Sequence, residues 1–302
     1  MKLVAAVAVV LSGSAIARAG EPLNRPEAIE IDREVPPPGQ ADFSFDAGGK
    51  VDGWALSAQV GFLDRPFRLH TVKVKIFPVE QRETLALGGA LAVGPGLLLD
   101  ARMPIAYQTG DRLMGLGDDR PLDSRVAGDL GLGARLRVME RDAYSAFVRG
   151  NVTLPTGNDF DFAGEARFTV AWMLIGRVKL PQNITLAGTA GVRFRGREVI
   201  VADRLLGDEL FAALGASFQL PAIRGLYCDA NEVRLTAELH GVLGNDVGDK
   251  EGASPAETRV GVTSRIRPWL AVAARVGKGI DDHIGAPRFR AFVEVVYVGG
   301  AR

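Results

Sequence analysis

The chain has 302 residues, with 36 basic and 36 acidic side chains and no net charge. Proteins that bind nucleic acid usually carry a basic excess, so a nucleic-acid partner is not expected. Cys228 is the single cysteine of the sequence, which excludes an intramolecular disulfide.

The N-terminus has the pattern of an exported protein. Lys2 is followed by an apolar run at 3–11 and by "ARA" at 17–19. This order is typical of a secretory signal peptide, predicted here as residues 1–19. The run is shorter than the roughly 18 apolar residues of a membrane-spanning helix. Residues 20–50 contain three consecutive prolines and are predicted to be a proline-rich periplasmic extension, followed by one domain at 51–302.

From residue 54 onward, apolar and polar residues alternate with a period of two, which predicts strands. In "GDLGLGARLRV" (128–138), for example, leucines and a valine alternate with Asp, Gly and Arg. The predicted strands are 70–76, 84–93, 97–108, 128–138, 144–154, 165–174, 184–195, 208–220, 232–243, 258–267, 270–280 and 288–298.

The connections between these strands are sorted by length. Short turns at 94–96, 140–142, 180–183 and 267–269 alternate with long loops rich in Gly and Asp, although the connection at 221–231 is longer than its place predicts. Such sorting is typical of an antiparallel, up-and-down transmembrane β-barrel. Twelve strands are predicted. The alternative of fourteen adds 54–62 and "FSF" at 43–45.

The apolar faces are almost free of charge, whereas the polar faces carry arginine on most strands. An arginine facing lipid in mid-membrane costs roughly 2–4 kcal/mol, so the apolar face is assigned to lipid and the charged face to the lumen. The residues predicted to face the lumen are Arg102, Asp129, Arg135, Arg137, Arg149, Arg167, Arg193, Arg234, Glu238, Arg259, Arg265, Arg275, Arg290 and Glu294. A secreted, soluble β-barrel or sandwich that binds a lipid against an inner apolar face is the alternative.

Aromatic residues fall near the strand ends, as in the two interfacial girdles of a membrane barrel. Those predicted at the long-loop end are Tyr107, Phe194 and Phe289. Those predicted at the short-turn end are Tyr144, Trp172, Phe218, Trp269 and Tyr297.

No pattern of catalytic or metal-binding residues stands out. The three histidines (His70, His240 and His283) lie on different segments, and no spacing brings two of them together as zinc ligands. No metal, no cofactor and no enzymatic activity are therefore expected. The lumen arginines have two interpretations that stay open: an anion-favouring lining, or pairs with acidic residues across strands that hold the wall together.

Two motifs carry a family resemblance: "GDLGLGARLRV" and "VTLPTGN", which follow "ETLALGGALAVGPGLLLDARMPIAYQTGD". Together they resemble the N-terminal barrels of OmpA-like outer-membrane proteins of myxobacteria. They are also similar to outer-membrane channels associated with phenol degradation. The resemblance covers about 54–298 and implies a barrel without catalytic residues. The peptidoglycan-binding domain typical of the OmpA-like proteins is not expected here.

The sequence therefore predicts an outer-membrane β-barrel of a Gram-negative bacterium, serving as a structural barrel or a narrow passive channel for small solutes. Its expected partners are outer-membrane lipid and small anionic solutes.

Overall fold

The computed structural model describes residues 43–45, 53–70, 75–111, 121–165, 167–196, 198–201, 204–220, 232–244, 251–252, 254–281 and 284–300. The predicted signal peptide lies outside them, as does the extension apart from 43–45. Within these ranges no helix has both the length and the apolar character needed to span a bilayer.

The described residues contain sixteen strand segments, and they account for most of the described chain. They are β1 (Trp54–His70), β2 (Lys75–Gly94), β3 (Leu97–Thr109), β4 (Arg125–Ala127), β5 (Leu130–Glu140), β6 (Tyr144–Leu154), β7 (Thr169–Leu180), β8 (Ile184–Arg195), β9 (Val199–Val201), β10 (Arg204–Leu206), β11 (Glu209–Gln219), β12 (Glu232–Gly244), β13 (Glu251–Gly252), β14 (Ala256–Arg267), β15 (Leu270–Gly279) and β16 (Phe289–Gly299).

Thirteen of these segments form one sheet that closes on itself. Its order is β2, β1, β16, β15, β14, β12, β11, β8, β7, β6, β5, β3, and β2 also pairs with β3. β4 and β5 both pair with β3 and form two parts of one barrel strand. The barrel pairings are antiparallel, so the predicted twelve-strand barrel is confirmed and the fourteen-strand alternative is wrong. β9, β10 and β13 form a small separate sheet.

Two predicted strands have different bounds in the structure. The strand predicted at 70–76 is divided in the structure, because His70 ends β1 and Lys75 begins β2, and 71–74 lie outside the described residues. The segment 54–62 is instead the start of the first barrel strand. The alternation in the sequence breaks down at Arg65 and Pro66. The pairing of β1 with β2 nevertheless continues beyond them, with shifts of register on either side of Phe67. The strand predicted at 165–174 is β7, which begins only at Thr169.

The two faces of the barrel differ in polarity. Large apolar side chains are exposed on the outside, among them Leu56, Val60, Leu87, Leu174, Leu214, Leu239, Val260 and Val293. The residues that alternate with them are buried and include many charged side chains. A soluble barrel that holds lipid against an inner apolar face requires the reverse arrangement.

The connections at the two ends differ in length. Turns of two or three residues join β2 to β3, β5 to β6, β7 to β8 and β14 to β15 at one end, called here the short-turn end. The connection 155–168, at the opposite, long-loop end, includes a 3-10 turn (Asp159–Asp161). At the long-loop end a small apolar cluster packs together, consisting of Phe67, Ile76, Val79, Phe162, Leu206 and Ile284.

Candidate functional site

The barrel interior holds most of the residues assigned to the lumen. The fully buried ones are Asp129, Arg135, Arg149, Glu238, Arg259, Arg275, Arg290 and Glu294. The partly buried ones are Arg102, Arg137, Arg193, Arg234 and Arg265. Arg167 is different, since it precedes β7 and is exposed, and its Nη1 donates to the carbonyl of Gly196.

One wall of the interior, formed by β12, β14, β15 and β16, carries three carboxylates and three guanidinium groups. This charged wall consists of Glu238, Glu257, Glu294, Arg259, Arg275 and Arg290. Two arginines share one carboxylate oxygen, because Nε of Arg259 lies 2.8 Å and Nε of Arg290 2.9 Å from Oε1 of Glu257. Arg275 Nε lies 3.3 Å from Oε1 of Glu238. Opposite charges therefore face each other in a region from which bulk water is largely excluded.

Glu257 was absent from the sequence candidates. The predicted strand began at residue 258, whereas β14 begins at Ala256. Glu257 lies two residues before Arg259 and therefore on the same face of the strand. A predicted strand that began at Ala256 would have included it.

The other walls are also held by ion pairs. Arg149 Nη2 lies 2.7 Å from Oδ1 of Asp100 on β3, and both side chains are buried. Glu209 on β11 accepts from Arg193 at 2.8 Å and from Arg195 at 2.9 Å on the neighbouring β8. The guanidinium of Arg135 lies over the Phe147 ring, 5.2 Å from its centroid. Pairing across strands thus accounts for many of the lumen arginines.

Residues 43–45, which the sequence assigned to the extension or to a fourteenth strand, lie inside the barrel. The backbone nitrogen of Ser44 donates to Oε1 of Glu238 at 3.0 Å, and its hydroxyl donates to Oε2 of the same residue. Arg259 Nη1 donates to Ser44 Oγ at 2.9 Å. Phe43 is fully buried and stacks on Phe45, with ring centroids 5.2 Å apart. This short segment therefore occupies space in the lumen beside the charged wall.

A glycine on β11 makes room for the two phenylalanine rings. A Cβ atom on Gly215 would lie 2.6 Å from the Phe43 ring and 3.1 Å from the Phe45 ring. Distances below 3.0 Å are closer than carbon atoms approach without contact strain. Residues 43–45 can therefore occupy this position only because residue 215 has no side chain.

Ser44, His240 and Glu238 lie close together without forming a catalytic triad. Nε2 of His240 lies 2.8 Å from Glu238 and 3.3 Å from Ser44 Oγ. In a triad the imidazole contacts the nucleophile with one ring nitrogen and the carboxylate with the other. Because both partners here approach the same nitrogen, the arrangement is a hydrogen-bond network that fixes Ser44.

Asp129 joins the two motifs that carry the family resemblance. Its Oδ1 accepts from the backbone nitrogens of Thr156 at 3.0 Å and Gly157 at 2.8 Å, and its Oδ2 accepts from that of Glu165 at 2.7 Å. The carboxylate thus fixes both ends of the segment 156–165, called here the anchored loop. A Cβ on Gly157 would lie 2.7 Å from the carbonyl oxygen of Ala163, which shows how closely the loop packs.

Two buried polar side chains of the barrel wall bind the middle of the anchored loop. Arg82 Nη2 donates to the carbonyl of Phe162 at 2.5 Å and to Oε1 of Gln108 at 2.6 Å. Gln108 Nε2 donates in turn to the carbonyl of Asp161 at 2.7 Å. Phe162 is fully buried against Phe67, with ring centroids 5.2 Å apart. The loop is therefore folded inward and held at the long-loop end.

The aromatic residues predicted as girdles are mostly exposed on the outer surface. About 40–50% of the side chain is exposed in Tyr107, Tyr144, Phe194, Phe218, Trp269, Phe289 and Tyr297. Trp172 lies close to the start of β7, at the long-loop end, and not at the short-turn end where the sequence placed it. The earlier boundary predicted for this strand explains the difference.

No protein-family model matches the chain, and no curated protein matches it. Solved structures do. The COG4313 outer membrane channel from Pseudomonas putida F1 has a TM-score of 0.57 at 14% identity, over 85% of this chain and 99% of that one. The KdgM porin in complex with disordered oligogalacturonate has a TM-score of 0.47 at 9% identity, over 82% of this chain and 99% of that one. The NanC porin has a TM-score of 0.48 at 7% identity, over 81% of this chain and 100% of that one. At these identities the first likeness shows the fold alone: the chain has the β-barrel fold of an outer-membrane channel.

Proposed function

We propose that the protein is an outer-membrane β-barrel that acts as a narrow passive channel for small solutes. The observation that carries this proposal is the closed barrel with apolar side chains outside and charged side chains inside. Only a closed barrel or a helix satisfies its backbone within the hydrocarbon, and the described strands form a closed barrel.

The lumen we propose is narrow for three reasons. A barrel of about eight strands is filled by its own side chains, whereas sixteen strands leave an open channel, so twelve strands lie between. Ion pairs such as Arg149–Asp100 extend from the wall, and residues 43–45 take up further space. The anchored loop folds inward at one end. Such a channel would pass small solutes and exclude large ones.

We further propose that the paired arginines serve mainly to hold the wall together. Arg149, Arg259 and Arg290 each contact a carboxylate within 2.9 Å. A guanidinium paired in this way attracts a passing anion less than an unpaired one does. Passage of small anionic solutes is the competing proposal, and reversal potentials separate the two.

The cellular setting is part of the same proposal. Residues 1–19 would direct export, and outer-membrane lipid would cover the exposed leucines and valines outside. The motifs around Asp129 and Thr156, which contact each other, support kinship with the myxobacterial OmpA-like barrels.

The proposal is tested with the purified, folded protein in two steps. First, the barrel is expected to need detergent or lipid to stay in solution, and a monomer that remains soluble without either would refute a membrane barrel. Second, single-channel recording in planar bilayers is expected to give small, steady conductance steps in KCl. A folded barrel that carries no current would be a structural barrel and not a channel.

A further inference from the structure

Three polar side chains meet on the inner face of β2, β1 and β16. Gln59 on β1 lies directly opposite Glu294 on β16. Thr84 on β2 pairs with Gly61, two residues along β1 from Gln59 and on the same face. All three are more than nine-tenths buried. Directly opposed residues of an antiparallel pair have Cβ atoms about 4.5–5.5 Å apart, so Gln59 and Glu294 are close neighbours.

Two of these side chains carry buried oxygen atoms that have no hydrogen-bond partner among the described residues. Oε1 of Gln59 and Oγ1 of Thr84 are buried without a hydrogen-bond partner. Among the described residues Glu294 has no hydrogen bond, although the positive charge of Arg275 acts on its carboxylate. The other carboxylates of the charged wall differ, since Glu257 accepts from two arginines and Glu238 from Ser44. Buried polar atoms almost always have a partner, so the gap here needs an explanation.

A cation fits this set of oxygen atoms better than an anion does. Carboxylate, amide carbonyl and hydroxyl oxygens are the ligands that hard cations prefer. Arg275, whose charge acts on Glu294, has its Nε 3.3 Å from Oε1 of Glu238, and its guanidinium lies over the Phe292 ring at 5.6 Å. An anion at this position would meet the carboxylate of Glu294, which is unfavourable.

The surroundings set the position of this pocket in the lumen. On these strands and the neighbouring β3 and β15, toward the short-turn end, a buried apolar cluster consists of Ala55, Ala90, Leu98, Ala271, Val296 and Val298. An ion that leaves this apolar surface would therefore meet Gln59 and Glu294 next along the wall.

We propose that Glu294, Gln59 and Thr84 form a binding site for a small monovalent cation, either an alkali ion or an ammonium group. The proposal rests on the proposed channel function for its role in permeation, because a cation held here would favour passage of cations. Binding itself needs no conduction and is tested separately.

The first experiment is crystallographic and uses the full-length folded protein. Crystals soaked in rubidium chloride are expected to show anomalous density between Glu294 and Gln59. The density should be lost in Glu294→Gln and kept in Glu83→Gln, which removes the same charge from an exposed position on β2. Wild-type crystals without anomalous density at this position would overturn the site.

Ammonium chloride added with the rubidium distinguishes the two cations. Loss of the density would assign the site to ammonium groups as well, and its persistence would assign the site to alkali ions; both outcomes support it. If Glu294→Gln does not fold, Gln59→Leu is the second variant, because it removes one ligand and keeps the charge. Undiminished rubidium density in a folded Gln59→Leu crystal would contradict the proposed ligand set.

The second experiment measures reversal potentials across planar bilayers under a KCl gradient. Glu294→Gln is expected to lower the cation-to-anion permeability ratio at least about fivefold, or about 1 kcal/mol, which is the energy of a unit charge about 4 Å away in water and the lower limit for a buried site. Glu83→Gln should leave the ratio unchanged. An unchanged ratio in Glu294→Gln would overturn the role in permeation. Absence of current from every variant would refute the channel function, while the rubidium result would still decide the site.

Discussion

Replacing Asp129 by alanine tests whether this one carboxylate fixes the anchored loop. The substitution removes three hydrogen bonds, from the backbone nitrogens of Thr156, Gly157 and Glu165. Hydrogen bonds to a charged group contribute about 1.5–3 kcal/mol each, so the lower limit for three is about 4.5 kcal/mol. We expect this loss to appear as release of the loop, since the backbone pairing of β5 with β3 and β6 does not depend on the side chain.

Limited digestion with chymotrypsin measures the release. The anchored loop contains Phe162, which is fully buried in the folded protein and becomes cleavable when the loop opens. A change of about 4.5 kcal/mol corresponds to about a two-thousandfold increase in the open population. Cleavage follows that population when opening is fast, and water can compensate part of the lost bonds, so a rise of about tenfold or more is expected.

Two further variants make the result specific. Asp129→Asn keeps one oxygen acceptor and should give an intermediate rate. Asp142→Ala removes an exposed aspartate from the turn at the other end of the β5–β6 hairpin and should leave the rate unchanged. Equal cleavage at Phe162 in wild type and folded Asp129→Ala would refute the reasoning.

Three other predictions address the lumen, the aromatic contacts and the lipid-facing surface. Phe43→Ala should raise single-channel conductance because its ring fills space in the lumen; an unchanged conductance would mean that residues 43–45 do not limit the current. Tyr297→Ala should lower the free energy of unfolding in urea by about 1–3 kcal/mol, because Tyr297 contacts two tryptophan rings at about 5.5 Å. Tyr144→Ala is the control at the same end of the barrel. An equal loss of unfolding free energy in this variant would mean that the contacts of Tyr297 with the tryptophan rings do not contribute. Leu214 lies in the middle of β11 and is exposed on the outer face, so Leu214→Arg should destabilise the barrel in lipid by about 2–4 kcal/mol. Leu243 is also exposed but lies near the end of β12, so Leu243→Arg should cost only about 0–1 kcal/mol. Equal losses for the two variants, measured by unfolding in lipid, would contradict the assignment of this face to the hydrocarbon.

The period of two carried much of the fold prediction. It placed Arg149, Arg259 and Glu294 on the inner face because a strand has only two sides. It failed at β1, where Arg65 has a positive φ of 48° and the pairing is irregular. Because the alternation of apolar and polar residues stops at such an irregularity, it cannot predict that the strand continues beyond it.

The candidate sites were less predictable because they depend on contacts between distant segments. Parity gave the direction of Asp129, but its partners at 156–165 are fixed only when the loop has folded inward. Ser44 lies 194 residues from Glu238 in the chain, and no local pattern connects them. The oxygen site at Gln59 requires the pairing of the first strand with the last, which a sequence pattern does not specify.

That pairing of first and last strands also has a consequence for how the barrel forms. In β1–β16, Trp54 lies opposite Gly299, so the contact joins the two ends of the barrel sequence, whereas most other strand pairs are joined by a turn or a loop. The entropy of closing a loop rises with its length, so local hairpins can form before this contact does. Because folding slows as contacts become less local, we expect closure of β1 on β16 to be the late, slow step of assembly. Residues on either side of this junction would then control the folding rate more than residues in any single hairpin.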